Sequence, residues 1–479
     1  MANFNSDSLF SEGPLLRRLV AFALPLMALN LLQYVYQTVD MVVVGHVVGE
    51  AGLVAISNAT NAAYLVSAFV MGLATGGGVA VARAVGADDV PGQRSAYAAT
   101  LLSAVGTAGL LALAGAVLAR PAFAANAVPP VAFDAAVAYT QVVCTGCAGS
   151  FLLNAAVAFL KAHGDARTPL LLVGMSALVN VALDLALVGP AGLGVEGAAY
   201  ATVIAQGVAA AGALVVAWRR YPGARVLAGR GRAAGAFGGL GDGLRLGASV
   251  AAVLRVGMPA AAQMAVVNLS YALVTGLLNR YGTDVAAAAG VGLQISTVAG
   301  LPCWAVGQAI TTAAAQNMGA ALPLRACEVV RLGARLNVGV TTGVQVLVQL
   351  LAPAVVAAYG CAPGSAAHDL AVLYLRITCS VNGLFYAAMF SFDSFALAAG
   401  SPRLVLANSL VDAFAVRFGL AFLLSGVLGC GFVGIFVAQA ASPVVPALIG
   451  RAYVRRWSRL HLGGDGPHGA CVGRPRWLK

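Results

Sequence analysis

LLRRLVAFALPLMALNLLQYVYQTVDMVVVGHVV, residues Leu15 to Val48, decides the fold. After Arg18 its only charged side chain is Asp40. A helix rises 1.5 Å per residue, so about 20 mostly apolar residues cross the hydrocarbon core of a bilayer. This run exceeds that length, and the excess predicts tilt, a kink or ends reaching into water. Pro25 lies inside it, where a proline removes a backbone hydrogen bond and promotes a kink.

The same pattern recurs along the chain. Counting outward predicts twelve spans: Leu15–Val48, Leu53–Val81, Ala96–Leu118, Asp134–Leu160, Pro169–Val188, Leu193–Trp218, Ser249–Leu278, Val285–Ala314, Val329–Tyr359, His368–Ala399, Leu404–Leu424 and Gly431–Tyr453. Sixty per cent of residues are hydrophobic, 9% are charged, and the mean hydropathy is +0.87. A soluble chain carries about a quarter charged residues, so most of this surface is expected to face lipid. The period-two alternation of a membrane β-barrel is absent. No cleavable leader is evident, and the first helix is expected to act as its own uncleaved anchor.

The net charge of +11 invites a polyanionic partner, but its placement predicts no nucleic acid. With a cytoplasmic N-terminus, inner loops and tails hold 23 of the 28 Lys and Arg, and outer connections hold only Arg120 and Arg280. That asymmetry is the positive-inside rule. It predicts an inner-membrane protein with both termini cytoplasmic. The eight Cys are scattered, and Cys144 and Cys147 read as small buried thiols.

The chain repeats itself. Pro25 in ALP recurs as Pro259 in GMP. Gly49 and Gly86 match Gly282 and Gly319, while GLGVEG (Gly192–Gly197) matches GCGFVG (Gly429–Gly434). Gly164 and Gly400 stand in equivalent places ahead of these. Each half thus holds six spans in the same order. An even number makes the repeats parallel, a transporter architecture. The predicted division is an N-lobe over 1–218, a basic cytoplasmic linker over 219–247, a C-lobe over 248–453 and a basic tail over 454–479.

A carboxylate in the hydrocarbon region costs about 2.5–3.5 kcal/mol on insertion scales and marks a functional path or a buried pair. Asp40 lies about 12 Å from the outer end of the first helix. Asn180 and Asp184, one turn apart, share a face of the fifth span. Thr202 enters the sixth span from the outer side to a similar depth, and Asn154 sits nearer mid-membrane on the fourth. Oxygen-only ligands suit a hard cation such as Na⁺. Two nearby buried carboxylates also resist joint ionisation, which suits a proton. The bland alternative is hydrogen bonding between neighbouring helices. Gln33, Tyr36 and Gln37, with Gln263 and Asn268, are candidates to line a polar central cavity. Asp412 and Arg417 in the eleventh span, and Arg376 and Asp393 in the tenth, read better as structural residues satisfied by pairing across the second half.

These residues resemble the MATE family of multidrug and toxic-compound extruders from Leu15 to Tyr453. The resemblance is carried by ALP with TVDMVVVGH (Thr38–His46), LKAHGDARTP (Leu160–Pro169), LVNVALDLAL (Leu178–Leu187) and GVEGAAYAT (Gly194–Thr202). It implies twelve helices in two six-helix lobes around a V-shaped central cleft. It further implies export of amphipathic, often cationic drugs or toxic metabolites in exchange for inward H⁺ or Na⁺. No cofactor is implied, no metal beyond Na⁺ at the coupling site, and a monomer can work. The coupling residues it carries over are Asp40, Asn154, Asn180, Asp184 and Thr202. The tenth-helix acid of some branches falls near Tyr386 here, which favours the first lobe. Two rival readings stay open: a lipid-linked oligosaccharide flippase of the same superfamily, and a membrane-embedded enzyme. The first would need more basic residues in the cleft than Arg255, Arg376 and Arg417. The second would need a metal motif or an activated nucleophile.

Overall fold

A computed structural model describes residues 10–48, 50–125, 130–226 and 240–462. These residues are almost entirely helical, and no strand occurs among them. A segment in lipid must satisfy its own backbone N–H and C=O groups, and the helix does so within one segment. The helices are α1 (Leu15–Val48), α2 (Glu50–Gly86), α3 (Val90–Ala125), α4 (Pro130–Gly146), α5 (Ala148–Ala162), α6 (Arg167–Leu187) and α7 (Gly194–Arg220). The second half continues with α8 (Leu240–Leu278), α9 (Thr283–Gly319), α10 (Pro323–Ala358), α11 (Ala366–Thr378), α12 (Asn382–Ala398), α13 (Pro402–Val427) and α14 (Gly431–Leu462).

Ten of these helices are long and apolar enough to cross a membrane singly, and two bent pairs bring the total to twelve. The pairs are α4 with α5, bent by 45°, and α11 with α12, bent by 52°. They form the fourth span of each half. The spans predicted as Asp134–Leu160 and His368–Ala399 are therefore broken helices. Several others overrun their predicted ends, because polar turns such as Val90–Ser95 continue a helix that hydropathy alone cannot follow.

Three of the glycine pairs matched by sequence also match in conformation. Gly164 and Gly400 have φ of 79° and 78°, Gly192 and Gly429 both 69°, and Gly194 and Gly431 52° and 60°. Only glycine adopts this left-handed region without cost, so these two turns of the first half recur in the second.

By contact density the described residues form two units. One holds Ala28–Ala262; the other holds Phe10–Met27 and the chain from Gln263 onward. The division falls inside α1 and α8, two residues after Pro25 and three after Pro259, and not in the 219–247 stretch. In the first unit α2 and α8 pack backbone to backbone. A Cβ on Gly76 would lie 2.4 Å from the Val253 carbonyl oxygen, and one on Gly72 would lie 2.5 Å from the Ala261 nitrogen. In the second unit, Phe10 is buried. Its N–H donates to Gln316 Oε1 at 3.0 Å, and its carbonyl accepts from Arg325 Nε at 2.8 Å.

At the end of α5, His163 is buried between the rings of Phe159 and Tyr221, whose centroids lie 4.4 and 4.3 Å away. Its Nδ1 meets the Phe159 carbonyl at 2.9 Å. Burial pushes its pKa down to about 4. A group whose folded pKa lies below its unfolded value of about 6.5 contributes stability above that value and loses it as pH falls toward 4. The purified protein is therefore expected to lose on the order of 2–3 kcal/mol across that window. Thermal unfolding at stepped pH checks this, with His163→Gln expected to flatten the difference; parallel curves for the two proteins would refute it.

Candidate functional site

The tight turn between α6 and α7 sets the first-unit site. Gly192 and Gly194 reverse the chain, and Gly197 lets α7 approach α6: a Cβ there would sit 2.9 Å from the Leu187 carbonyl. Counting away from this turn, Asn180 lies eight residues before Val188 and Thr202 eight residues after Gly194. Each is about 12 Å along its helix, so the two side chains come level. Asn180 Nδ2 donates to Thr202 Oγ1 at 3.3 Å, and Thr202 Oγ1 donates to the Ala198 carbonyl at 3.1 Å. The hydroxyl proton is thus committed, which orients the Asn180 amide with its nitrogen toward Thr202. Asn180 is 2% exposed, and its Oδ1 has no hydrogen-bond partner among the described residues. One turn nearer the α6–α7 turn, Asp184 is 0% exposed.

A cavity of about 10 Å³ opens beside this pair, lined by Tyr36, Ser176, Asn180, Thr202 and Gln206 with Ala177 and Ala205. That free volume is at the threshold for one water-sized occupant. The two alanines make the room, and the five polar residues make it hydrophilic. Ser176 and Gln206 escaped the sequence reading. They stand one turn from Asn180 and Thr202, so an i±4 search from those residues would have found them.

Asn154 is not brought to this cavity. It is half-buried on α5, where its Nδ2 donates to the Ser150 carbonyl at 2.9 Å. Asp40 falls within α1, but its side chain lies outside the described residues. Gln33 and Tyr36 are half-buried and Gln37 is exposed on α1; on α8 of the second unit Gln263 is half-buried and Asn268 exposed. Pro25 lies inside α1.

In the second unit Asp412 and Arg417 form a buried ion pair. Arg417 Nη2 donates to Asp412 Oδ2 at 2.6 Å, and its guanidinium lies 4.3 Å over the Tyr271 ring. Residues five apart stand about 140° apart around an α-helix, at about 100° per residue. Here Val411–Phe418 is π-helical, and an i→i+5 turn brings them onto one face. Arg376 and Asp393 do not pair. Arg376 is exposed, and buried Asp393 accepts from Asn408 Nδ2 at 2.8 Å instead. Tyr386, at the position of the missing tenth-helix acid, accepts from Trp304 Nε1 at 2.7 Å.

Two six-span repeats, each with a broken fourth helix, and a small polar cavity buried among helices define a polytopic membrane transporter fold. The MatE family profile matches residues 25–186 and 259–423, more than half of the chain. The chain belongs to the MATE family. It is 26% identical to a probable multidrug resistance protein YpnP of Bacillus subtilis over 65% of this chain, and 27% identical to YoeA of the same organism over 68%. A probable multidrug resistance protein NorM of Thermotoga maritima is 25% identical over 63%. These matches span 66%, 70% and 63% of the relatives' own lengths, about two thirds. Among solved structures, an outward-facing multidrug resistance MATE transporter of the MOP superfamily superposes with a TM-score of 0.86 at 18% identity, covering 96% of this chain and 100% of that one. A MOP-superfamily transporter from Pyrococcus furiosus gives 0.85 at 18%, covering 96% and 99%. Identity that low speaks for the fold alone.

Proposed function

We propose that this transporter exports small amphipathic, often cationic molecules, in exchange for inward H⁺ or Na⁺ bound in the first unit. The observation that carries this reading is the cavity at Asn180 and Thr202. It offers an orphaned amide oxygen and a buried carboxylate one turn away, with room for one small ion. In this reading Asp40, Asn154, Asn180, Asp184 and Thr202 form the ion's surroundings. Asn154 would have to leave its bond to Ser150 to join them. Ion entry neutralises the carboxylates, changes helix packing around them, and lowers affinity for bound drug. Pro25 lets α1 bend as occupancy changes, while Gln33, Tyr36, Gln37, Gln263 and Asn268 line the drug's path. The protein works as a monomer in the inner membrane, with both termini cytoplasmic as the positive-inside rule requires.

Pairing of Arg417 with Asp412 weighs against a flippase for pyrophosphate lipids, because it withdraws one of three basic side chains from that task. Reconstituted in vesicles, the protein is expected to move a fluorescent cationic dye when ΔpH or ΔNa⁺ is imposed alone. Dye movement indifferent to both gradients would refute ion exchange.

A further inference from the structure

A second cavity, of about 430 Å³, lies in the first unit where α3 begins and α7 ends, at the basic end of these helices. Its walls include Leu101, Leu214, Val215, Trp218 and Val226, so most of the lining is apolar. One polar side chain, Tyr97, stands among them. It is 2% exposed, and its hydroxyl has no hydrogen-bond partner among the described residues. An orphaned buried hydroxyl costs free energy that a ligand acceptor would recover.

Arginines stand next to the lining residues. Arg225 Nε donates to the Trp218 carbonyl at 3.2 Å, and its guanidinium lies 5.9 Å from the Trp218 ring. Arg94, one turn before Tyr97 on α3, uses its Nε on the Pro222 carbonyl at 3.2 Å. In both, backbone carbonyls fix the Nε side of the fork and leave the terminal nitrogens for a phosphate. Arg219 follows Trp218 and is exposed. Arg220 is engaged elsewhere, on Thr168 at 2.9 Å.

We propose that this groove is a binding site for an anionic phospholipid. An acyl chain lies against Leu101, Leu214, Val215 and Trp218, an ester oxygen accepts from the Tyr97 hydroxyl, and the headgroup phosphate meets Arg94 and Arg225. The three demands, for apolar length, a buried acceptor and a negative charge at the membrane interface, are met together by such a lipid. A cationic drug would be repelled by these arginines. The site is separate from the Asn180 cavity and does not depend on the transport reading.

Trp218 lines the groove and serves as reporter. With Trp304, Trp457 and Trp477 changed to Phe, its fluorescence is read in phosphatidylcholine vesicles containing brominated phosphatidylglycerol or brominated phosphatidylcholine at equal mole fraction. Quenching by the anionic lipid is expected to be favoured about fivefold or more, and Arg94→Gln with Arg225→Gln should return it to parity. Equal quenching by both lipids would mean ordinary boundary lipid and overturn the proposal. Absence of quenching by either would mean that no lipid enters the groove and overturn it equally. If the triple Trp variant fails to fold, native mass spectrometry of the unaltered chain decides. One phosphatidylglycerol retained in preference to phosphatidylcholine, and lost with the two arginines, supports the site; no preference overturns it.

Discussion

Asp184→Asn is expected to leave a folded protein that no longer couples dye movement to an ion gradient. The substitution is nearly isosteric at a side chain that is 0% exposed, so packing on α6 is preserved while the negative charge is lost. A unit charge pair about 4 Å apart, at an effective dielectric near 20, is worth about 4 kcal/mol. Losing it should weaken ion binding by roughly two to three orders of magnitude. Gradient-driven dye accumulation in vesicles should fall at least about tenfold, with monodisperse elution and thermal stability close to the parent. Accumulation equal to the parent under both ΔpH and ΔNa⁺ would remove Asp184 from the coupling scheme.

Gly76→Val should have the opposite profile, with the fold lost before function can be read. The Cβ of residue 76 would stand 2.4 Å from the Val253 carbonyl oxygen and 2.8 Å from the Gly257 nitrogen. Both are backbone atoms of α8, so no rotamer change relieves the clash and the helices must separate. With lipid as apolar as the side chains, helix association depends on close packing of small residues, and Gly72 with Gly76 is a small-xxx-small pair. Overpacking costs 1–3 kcal/mol or more, and here it also disrupts the contact that holds α8 to α2. Yield of monodisperse protein is expected to collapse. Gly106→Ala, where an added Cβ meets nothing within 4 Å, is the matched control and should be neutral or stabilising by up to about 1 kcal/mol. Normal yield from Gly76→Val would show that α2 and α8 are not held backbone to backbone.

The spans and their duplication were legible because they are local properties. Hydropathy marks a membrane helix residue by residue, and a glycine such as Gly192 or Gly429 marks a left-handed turn without knowledge of its neighbours. The bends at Gly146–Cys147 and Cys379–Val381 were not legible, since a few small or polar residues inside an apolar run do not interrupt a window of about 20 residues. Nor was the division inside α1 and α8, which depends on what each stretch packs against. Part of the site could be found by counting. Asn180 and Thr202 meet because they are equidistant from one turn. Ser176 and Gln206 were missed for want of extending that count by a turn. Asn154 stays apart, held to its own helix by Ser150, and no spacing rule reveals such a bond. A structural role for Asp412 and Arg417 was legible, whereas the π-helical turn that lets residues five apart meet was not.

The coupling reading rests on a polar cavity in which Asn180 and Thr202 help hold one small cation. Thr202→Val tests it most directly, because valine keeps the shape of threonine and removes only the oxygen that Asn180 meets at 3.3 Å. The measurement is the Na⁺ or H⁺ concentration giving half-maximal dye movement in vesicles. A rise of about tenfold, at an unchanged maximal rate, is predicted from losing one ion ligand worth about 1.4 kcal/mol. An unchanged half-maximal concentration for both ions would contradict the account.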